Sequence, residues 1–371
     1  MKITDNIYSL YIRQFLLPKA EDFSHPGYIY TKLSDDFENR KIRDVFIPEG
    51  WVSDIEKKTI EKYSSEGDEI LYKIGKIGGV TYGKFSELKT INDFDSPKKL
   101  EEYMRLLILF MAGTYGADVD YKIEIEKKLI TQSYSNFVVC PHNGIGKLVI
   151  TGSATGIWAW ILQDKTIKGV HSKCIGRGDN VCEIILGPPE EIRKLGYEPH
   201  ILTDFESPDL DQQYIEYNQF HPTEQVSVSL DKLIESNIIQ LQDGEITFHG
   251  KRFFEWDMHY IYLLEILYPD IDELYKITKE HAKNIGLHIG VKLNYGYISE
   301  FLGALGWGDI LIVEDSKALI KYYPYTSFYQ QSNFTIIKAL ISGLLSVLTG
   351  KEVDLKNHEL IFDKSFDIII S

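Results

Sequence analysis

Apolar positions recur along this chain at two periods. From Asp243 to Glu255, DGEITFHGKRFFE alternates apolar and polar residues and breaks at His249-Gly250, which predicts a β-hairpin. The next stretch, MHYIYLLEILYPDIDELYKITKEHAKNIGLHIGVKLN (Met258 to Asn294), is helical in period and broken near Pro269. GDILIVEDSKALIKYYP, Gly308 to Pro324, returns to alternation, and a last apolar helix and a hairpin follow. This pattern predicts an α+β fold, an antiparallel sheet with helices on one face.

The same order of parts occurs earlier in the chain. TGIWAWILQDKTIKGVHSKCIGRGDNVCEIIL (Thr155–Leu186) matches SGLLSVLTGKEVDLKNHELIFDKSFDIII (Ser342–Ile370), with Thr155-Gly156 against Ser342-Gly343 and Lys165 against Lys351. LYKIGKIGGVTYGKF (Leu71–Phe85) resembles LYKITKEHAKNIGLHIGVKL (Leu274–Leu293). Each carries glycines four apart on an amphipathic helix, Gly79 and Gly83 in one, Gly286 and Gly290 in the other, a spacing that lets another backbone approach closely. Two tandem copies of one domain are therefore expected, over residues 1–187 and 226–371. Between them, 188–225 is a connector rich in Pro and acid, in which PEEIRKLG predicts a short helix with Gly196 past its end.

Composition narrows the function. Hydrophobic residues make up 44% of 371, enough for a core in each half. The net charge of -15 repels phosphate backbones, and the basic residues are interleaved with acids, so no nucleic-acid partner is expected. The longest apolar stretches, LLILFMAG and LVITGSATGIWAWIL, fall short of the about 20 residues that span a bilayer. Three cysteines make no disulfide framework, and MKITDNIYSLYIRQF has no apolar segment of signal-peptide length. A soluble cytoplasmic protein is expected. The many Tyr and Phe residues can line a pocket or fill a core; for Trp158, Trp160 and Trp307 taken singly, core packing is the weightier reading.

HSKCIGRGDNVC, His171 to Cys182, holds the candidate chemistry. A hairpin centred on Gly178-Asp179 places Cys174 opposite Cys182, with Cβ atoms roughly 5 Å apart. That suits two thiolates on one zinc, and His171 is the natural third ligand. On a regular strand, residues three apart point to opposite faces, so His171 joins Cys174 only if a bulge intervenes. The fourth ligand could come from CPHNG, as Cys140 or His142, or be water. The alternative is a pair of half-buried hairpin thiols packed as small hydrophobes. In the second copy Leu360 and Phe366 stand at the Cys174 and Cys182 positions, so that hairpin forms without metal. GKIGGVTYG (Gly75–Gly83) lacks the spacing of a dinucleotide turn, and no catalytic arrangement of Ser, His and Asp or of paired carboxylates stands out, which weighs against an enzyme.

CIGRGDNVCEIIL resembles the closing signature of the 4-vinyl reductase domain family: Cys, three residues, Gly-Asp, two residues, Cys, then a strand. GSATGIWAWIL resembles that family's Gly-containing last helix. The resemblance implies the fold of TRAPP vesicle-tethering subunits, often dimeric, with the two copies here packed as a pseudo-dimer. Several members of the family are sensor domains of aromatic-hydrocarbon-responsive transcription regulators that bind a small apolar ligand. In those, cysteines and a Glu three residues before the first signature cysteine hold a structural zinc. His171 stands at the Glu position, while the remaining cysteine position aligns near Leu148, with Cys140 several residues earlier. The implied function is a sensor or carrier of an apolar or aromatic ligand with zinc in the first copy only. The alternatives are a scaffold with a protein partner, as a homodimer or otherwise, and, from the family's name, a reductase of vinyl or tetrapyrrole substrates.

Overall fold

The computed structural model describes residues 3–31, 42–140, 144–145, 148–200, 227–242, 244–314, 317–321, 323, 332–362 and 368–370. The chain forms two compact units. The first comprises Met1–Lys19, Val52–Asp209 and Asp243–Glu245; the second comprises Ala20–Trp51, Leu210–Gln242 and Ile246–Ser371. These cuts differ from the sequential division at 1–187, 188–225 and 226–371. The reason is strand pairing: residues 42–48 bond to residues 251–257 and so lie in the second unit.

Helix α1 (Ile3–Tyr11) runs through a π-helical turn into α2 (Leu17–Ala20), and strands β1 (Glu21–His25), β2 (Tyr28–Thr31) and β3 (Ile42–Pro48) follow. Next come α3 (Glu49–Tyr63), α4 (Ser65–Phe85), α5 (Pro97–Thr114), β4 (Asp118–Glu124), β5 (Leu129–Ser135), α6 (Leu148–Ile161), β6 (Lys168–Lys173), β7 (Cys182–Gly187) and α7 (Pro189–Lys194). The later part holds α8 (Leu230–Glu235), β8 (Gln240–Gln242), β9 (Glu245–Phe248), β10 (Lys251–Asp257), α9 (Met258–Leu267), α10 (Ile271–Ile289) and α11 (Tyr295–Ala304). It closes with β11 (Asp309–Glu314), β12 (Lys317–Lys321), α12 (Thr335–Thr349), β13 (Leu360–Phe362) and β14 (Ile368–Ile370). The fold is α+β. The first unit's sheet has the order β4-β5-β7-β6, and β11-β12-β14-β13 repeats that order in the second unit. The second unit also contains a sheet of order β1-β2-β3-β10-β9-β8. Among the described residues no helix is long and apolar enough to cross a membrane.

Local chemistry places the boundaries. Both central residues of the β9–β10 turn have positive φ, His249 at 49° and Gly250 at 71°, as a two-residue hairpin with right-handed strand twist requires. Pro269 separates α9 from α10, and Asp270 Oδ1 accepts from the Glu273 N–H at 3.0 Å to cap α10. The expected short helix of the connector is α7, and Gly196 follows it at φ 88°.

The closest packing in the first unit joins α4 to α6. A Cβ on Gly75 would collide with the Val149 carbonyl, one on Gly79 with that of Ser153, one on Gly152 with that of Tyr72 and one on Gly156 with that of Lys76. The two backbones therefore touch with no side chain between them. Of the glycines singled out from the sequence, Gly79 meets a backbone, whereas Gly83 and Gly286 meet the side chains of Trp160 and Val347. Gly290 has no such contact; at φ 63° it ends α10.

Two hydrogen bonds recur in the two units. Tyr72 donates to Thr155 Oγ1 at 3.0 Å, and Tyr275 to Ser342 Oγ at 2.8 Å. Glu56 of α3 accepts from the Val149 N–H at 3.0 Å, and Glu265 of α9 from the Ile336 N–H at 2.7 Å. Both carboxylates are buried and satisfy donors at the positive starts of α6 and α12. Gly75→Ala and Gly156→Ala should each lower stability by about 2–3 kcal/mol in urea denaturation, although alanine is the better helix former. Unchanged midpoints would mean that the helices do not touch in this way.

Candidate metal centre and apolar cavity

The hairpin β6–β7 is antiparallel, with Val170 opposite Ile185 and His171 opposite Ile184. Its register then shifts, and Lys173 lies opposite Glu183, leaving Ser172 as an extra residue. This is the bulge that the spacing of His171 and Cys174 demanded. Ser172 Oγ donates to Glu183 Oε1 at 2.7 Å, and Lys173 Nζ lies 2.9 Å from Glu183 Oε2, so one carboxylate pins the irregularity. With one residue taken out of the alternation, His171 and Cys174 share a face, and Cys174 and Cys182 are the residues that flank the last pair of the ladder, Lys173 with Glu183.

The loop beyond is held by its own backbone. The Cys174 N–H donates to Asp179 Oδ2 at 2.7 Å, and Arg177 and Asp179 donate their N–H groups to the Cys174 carbonyl at 2.9 and 3.1 Å. Gly178, at φ 96°, makes the turn. The Ile175 N–H lies 3.4 Å from Cys182 Sγ, a donor placed to stabilise a thiolate. Gly176 presses on the Cys140 carbonyl so closely that a Cβ would collide with it.

Cys140 arrives from another direction. Val139 has φ 69°, a left-handed value rare for a β-branched residue, and the Cys140 N–H donates to the Val138 carbonyl at 2.8 Å, closing a three-residue turn. Such a conformation costs on the order of 1–3 kcal/mol and persists where the surroundings impose it. It delivers Cys140 to the hairpin, where Cys140 Sγ lies 4.0 Å from His171 Nε2.

The ligand atoms of Cys140, His171, Cys174 and Cys182 all lie within 4.8 Å of one another, and all four residues are buried. A tetrahedral zinc with Zn–S near 2.3 Å needs sulfurs about 3.8 Å apart, so contraction by less than about 1 Å closes the shell. Three thiols and an imidazole suit zinc and leave no position for substrate, as in a structural site. The residues present therefore fit the metal. Arg177 donates to the His171 carbonyl at 3.1 Å, bringing a positive charge beside the thiolates. His200, stacked on Tyr72 with ring centroids 4.5 Å apart, is pushed down to about 4 by burial and by nearby His171. His142 lies outside the described residues, and Leu148 begins α6.

The corresponding hairpin of the second unit requires a correction. Ile370 pairs with Leu360 and Ile368 with Phe362, whereas Leu186 pairs with Gly169 and Ile184 with His171. Leu360 thus occupies the backbone position of Gly169, not of Cys174, and Phe362 takes that of His171. From Phe362 to Ile368 the second hairpin spans fewer residues than the first does from His171 to Ile184. Phe366 lies outside the described residues.

The second unit holds an apolar cavity between the six-stranded sheet and helices α10, α11 and α12. Phe46, Trp51, Phe253, Phe301, Trp307 and Leu340 are among its walls, and His281 is the titratable side chain there. Trp51 donates to Thr278 Oγ1 at 2.9 Å, which fixes its ring. The cavity volume is about 20 Å³, room for about one water-sized molecule. Of the tryptophans considered from sequence, Trp307 lines this cavity. Trp158 is buried in the first unit's core, and Trp160 packs on Gly83 and donates to the Leu88 carbonyl at 3.1 Å. Nothing local along the chain marks residues 46–51 as neighbours of residues 253–344, because only strand pairing brings them together.

No family model matches the chain, and no curated protein matches it. Among solved structures it is similar to the phenol-responsive sensory domain of the transcription activator PoxR, crystallised with phenol. The identity is 14%, the match covers 54% of this chain and 100% of that one, and the TM-score is 0.37.

Elemental analysis of purified protein should find about one zinc per chain, lost in Cys174→Ser and Cys182→Ser. Chelation should lower stability by about 4 kcal/mol relative to protein in zinc at a thousand times its Kd. Native protein that is fully stable without any metal would exclude the site.

Proposed function

We propose that this protein is a sensor or carrier of a small apolar or aromatic molecule, built from two diverged copies of a domain of the 4-vinyl reductase type. The observation that carries the reading is the cavity of the second unit, with aromatic walls and one imidazole. Such a lining offers a ring-sized apolar ligand much contact and one oriented hydrogen bond. The copies divide the work. Zinc on Cys140, His171, Cys174 and Cys182 holds the hairpin and its loop together in the first unit and does no chemistry. The second unit, without those thiols, takes the ligand. Its cavity is narrow, so binding selects a conformation in which the wall has moved. The recurring Tyr to Ser/Thr bonds and the matching strand orders support the tandem reading.

A scaffold or homodimer is the second reading. It is favoured by Ile7, Leu10 and Phe15, exposed at 64%, 56% and 53% on the N-terminal helical segment. Sedimentation of the wild type beside Leu10→Glu separates the two readings, since self-association abolished by the charge would support the second.

For the first reading, neutral aromatic compounds should stabilise the protein by about 2.7 kcal/mol at a hundred times their Kd. Leu340→Trp, which fills the cavity, should remove the effect while leaving the zinc content unchanged. A panel of such compounds that stabilises wild type and Leu340→Trp equally would rule the cavity out as their site.

A further inference from the structure

One face of the second unit's six-stranded sheet carries a row of carboxyl groups. Register and alternation put Glu21 of β1, Thr31 of β2, Asp44 of β3, and Glu255 and Asp257 of β10 on that face. Thr31 Oγ1 lies 2.8 Å from Asp44 Oδ2 and 2.9 Å from Glu255 Oε1. A hydroxyl has one proton to give, so one of these two contacts needs a proton on the carboxyl. The charge of Glu255 also acts on Glu21, Asp44 and Asp257, and like charges gathered on one face favour keeping protons among them.

The same face continues into the cavity wall. Phe46 is the cross-strand partner of Glu255 and lies two residues beyond Asp44, and Phe253 lies two residues before Glu255. Both phenylalanines line the cavity. Of the bases on their own strands, Lys251 shares the acids' face at the start of β10 but stands exposed to solvent, four residues from Glu255. Arg43 and Arg252 alternate to the opposite face, where Arg43 donates to the Gly27 and Gly306 carbonyls at 2.6 and 2.9 Å. Asp22, next to Glu21, is turned to Ser24 and Tyr30, with Asp231 of α8 nearby. Across the cavity, the titratable group is His281 of α10.

We propose that this carboxyl row is a proton-operated latch on the cavity, holding β3 against β10 while its shared protons are bound and freeing the wall when they leave. The proposal rests on the reading of the cavity as a ligand site. Burial is the largest cause raising all four groups; the charge of Glu255 adds to it at Glu21, Asp44 and Asp257, and Asp257 is pushed up to about 7. In the unfolded chain these carboxyls lose their protons near pH 4. The folded form thus holds more protons than the unfolded one between about pH 4 and about pH 7, so the latch is firm at acid pH and weakens as pH rises through that window.

Hydrogen exchange on the full chain tests this. Between about pH 5 and about pH 8, protection factors of β3 and β10 amides should fall at least about tenfold, with α10 much less affected. The association rate of the uncharged dye N-phenyl-1-naphthylamine should rise in parallel. Asp44→Asn and Asp257→Asn, singly and together, should flatten both trends, since an amide keeps a hydrogen bond without titrating. In the wild type, an infrared band of protonated carboxyl should disappear near pH 7, a readout that needs no variant to fold. Dye binding with pH-invariant protection overturns the latch and leaves the ligand site standing. Protection that tracks pH with no dye bound at any pH overturns the ligand site instead. A fall shared equally by all elements overturns the latch as well.

Discussion

The pairing of β3 with β10 is the constraint on which the second unit depends. Five residue pairs, Phe253 with Pro48 through Asp257 with Asp44, join segments some two hundred residues apart. That ladder carries β1 and β2 into the sheet and sets Phe46 and Trp51 against the helices that follow β10. It is a costly contact to form, because a long loop must close before any bond is gained. Its return is large: one face supplies both the aromatic wall and the row of acids, and each position's role follows from its place in the alternation.

Much of the local architecture was legible. His249-Gly250 announced its turn because few residue pairs accept two positive φ values in succession, and Pro269 announced the break between α9 and α10 because it cannot donate. The partnership of β3 was not legible. Its sequence, IRDVFIP, alternates as any strand might, and nothing local distinguishes a partner in the next turn from one in the other half of the chain. The four acids were hidden for the same reason: spread from Glu21 to Asp257, they become neighbours only through register.

The cluster of candidate metal ligands was half legible. Cys174, Cys182 and His171 lie in one hairpin, and the geometric objection to His171 could be stated, with its remedy, before any coordinates. Cys140 was a candidate by residue type alone, since the turn at Val139 that aims it has no sequence signature. The second hairpin misled by length. Matching its ends placed Leu360 over Cys174, but the ladder counts inward from Ile370 and sets Leu360 at the place of Gly169.

The left-handed turn at Val139 also sets an order among the four side chains. Cys140 is the one held by a backbone conformation outside the hairpin. Were the four to hold an ion, Cys140 would be the last ligand to close and the first to open, because its release lets Val139 return to ordinary backbone, and filling and emptying would run along that one path in opposite directions.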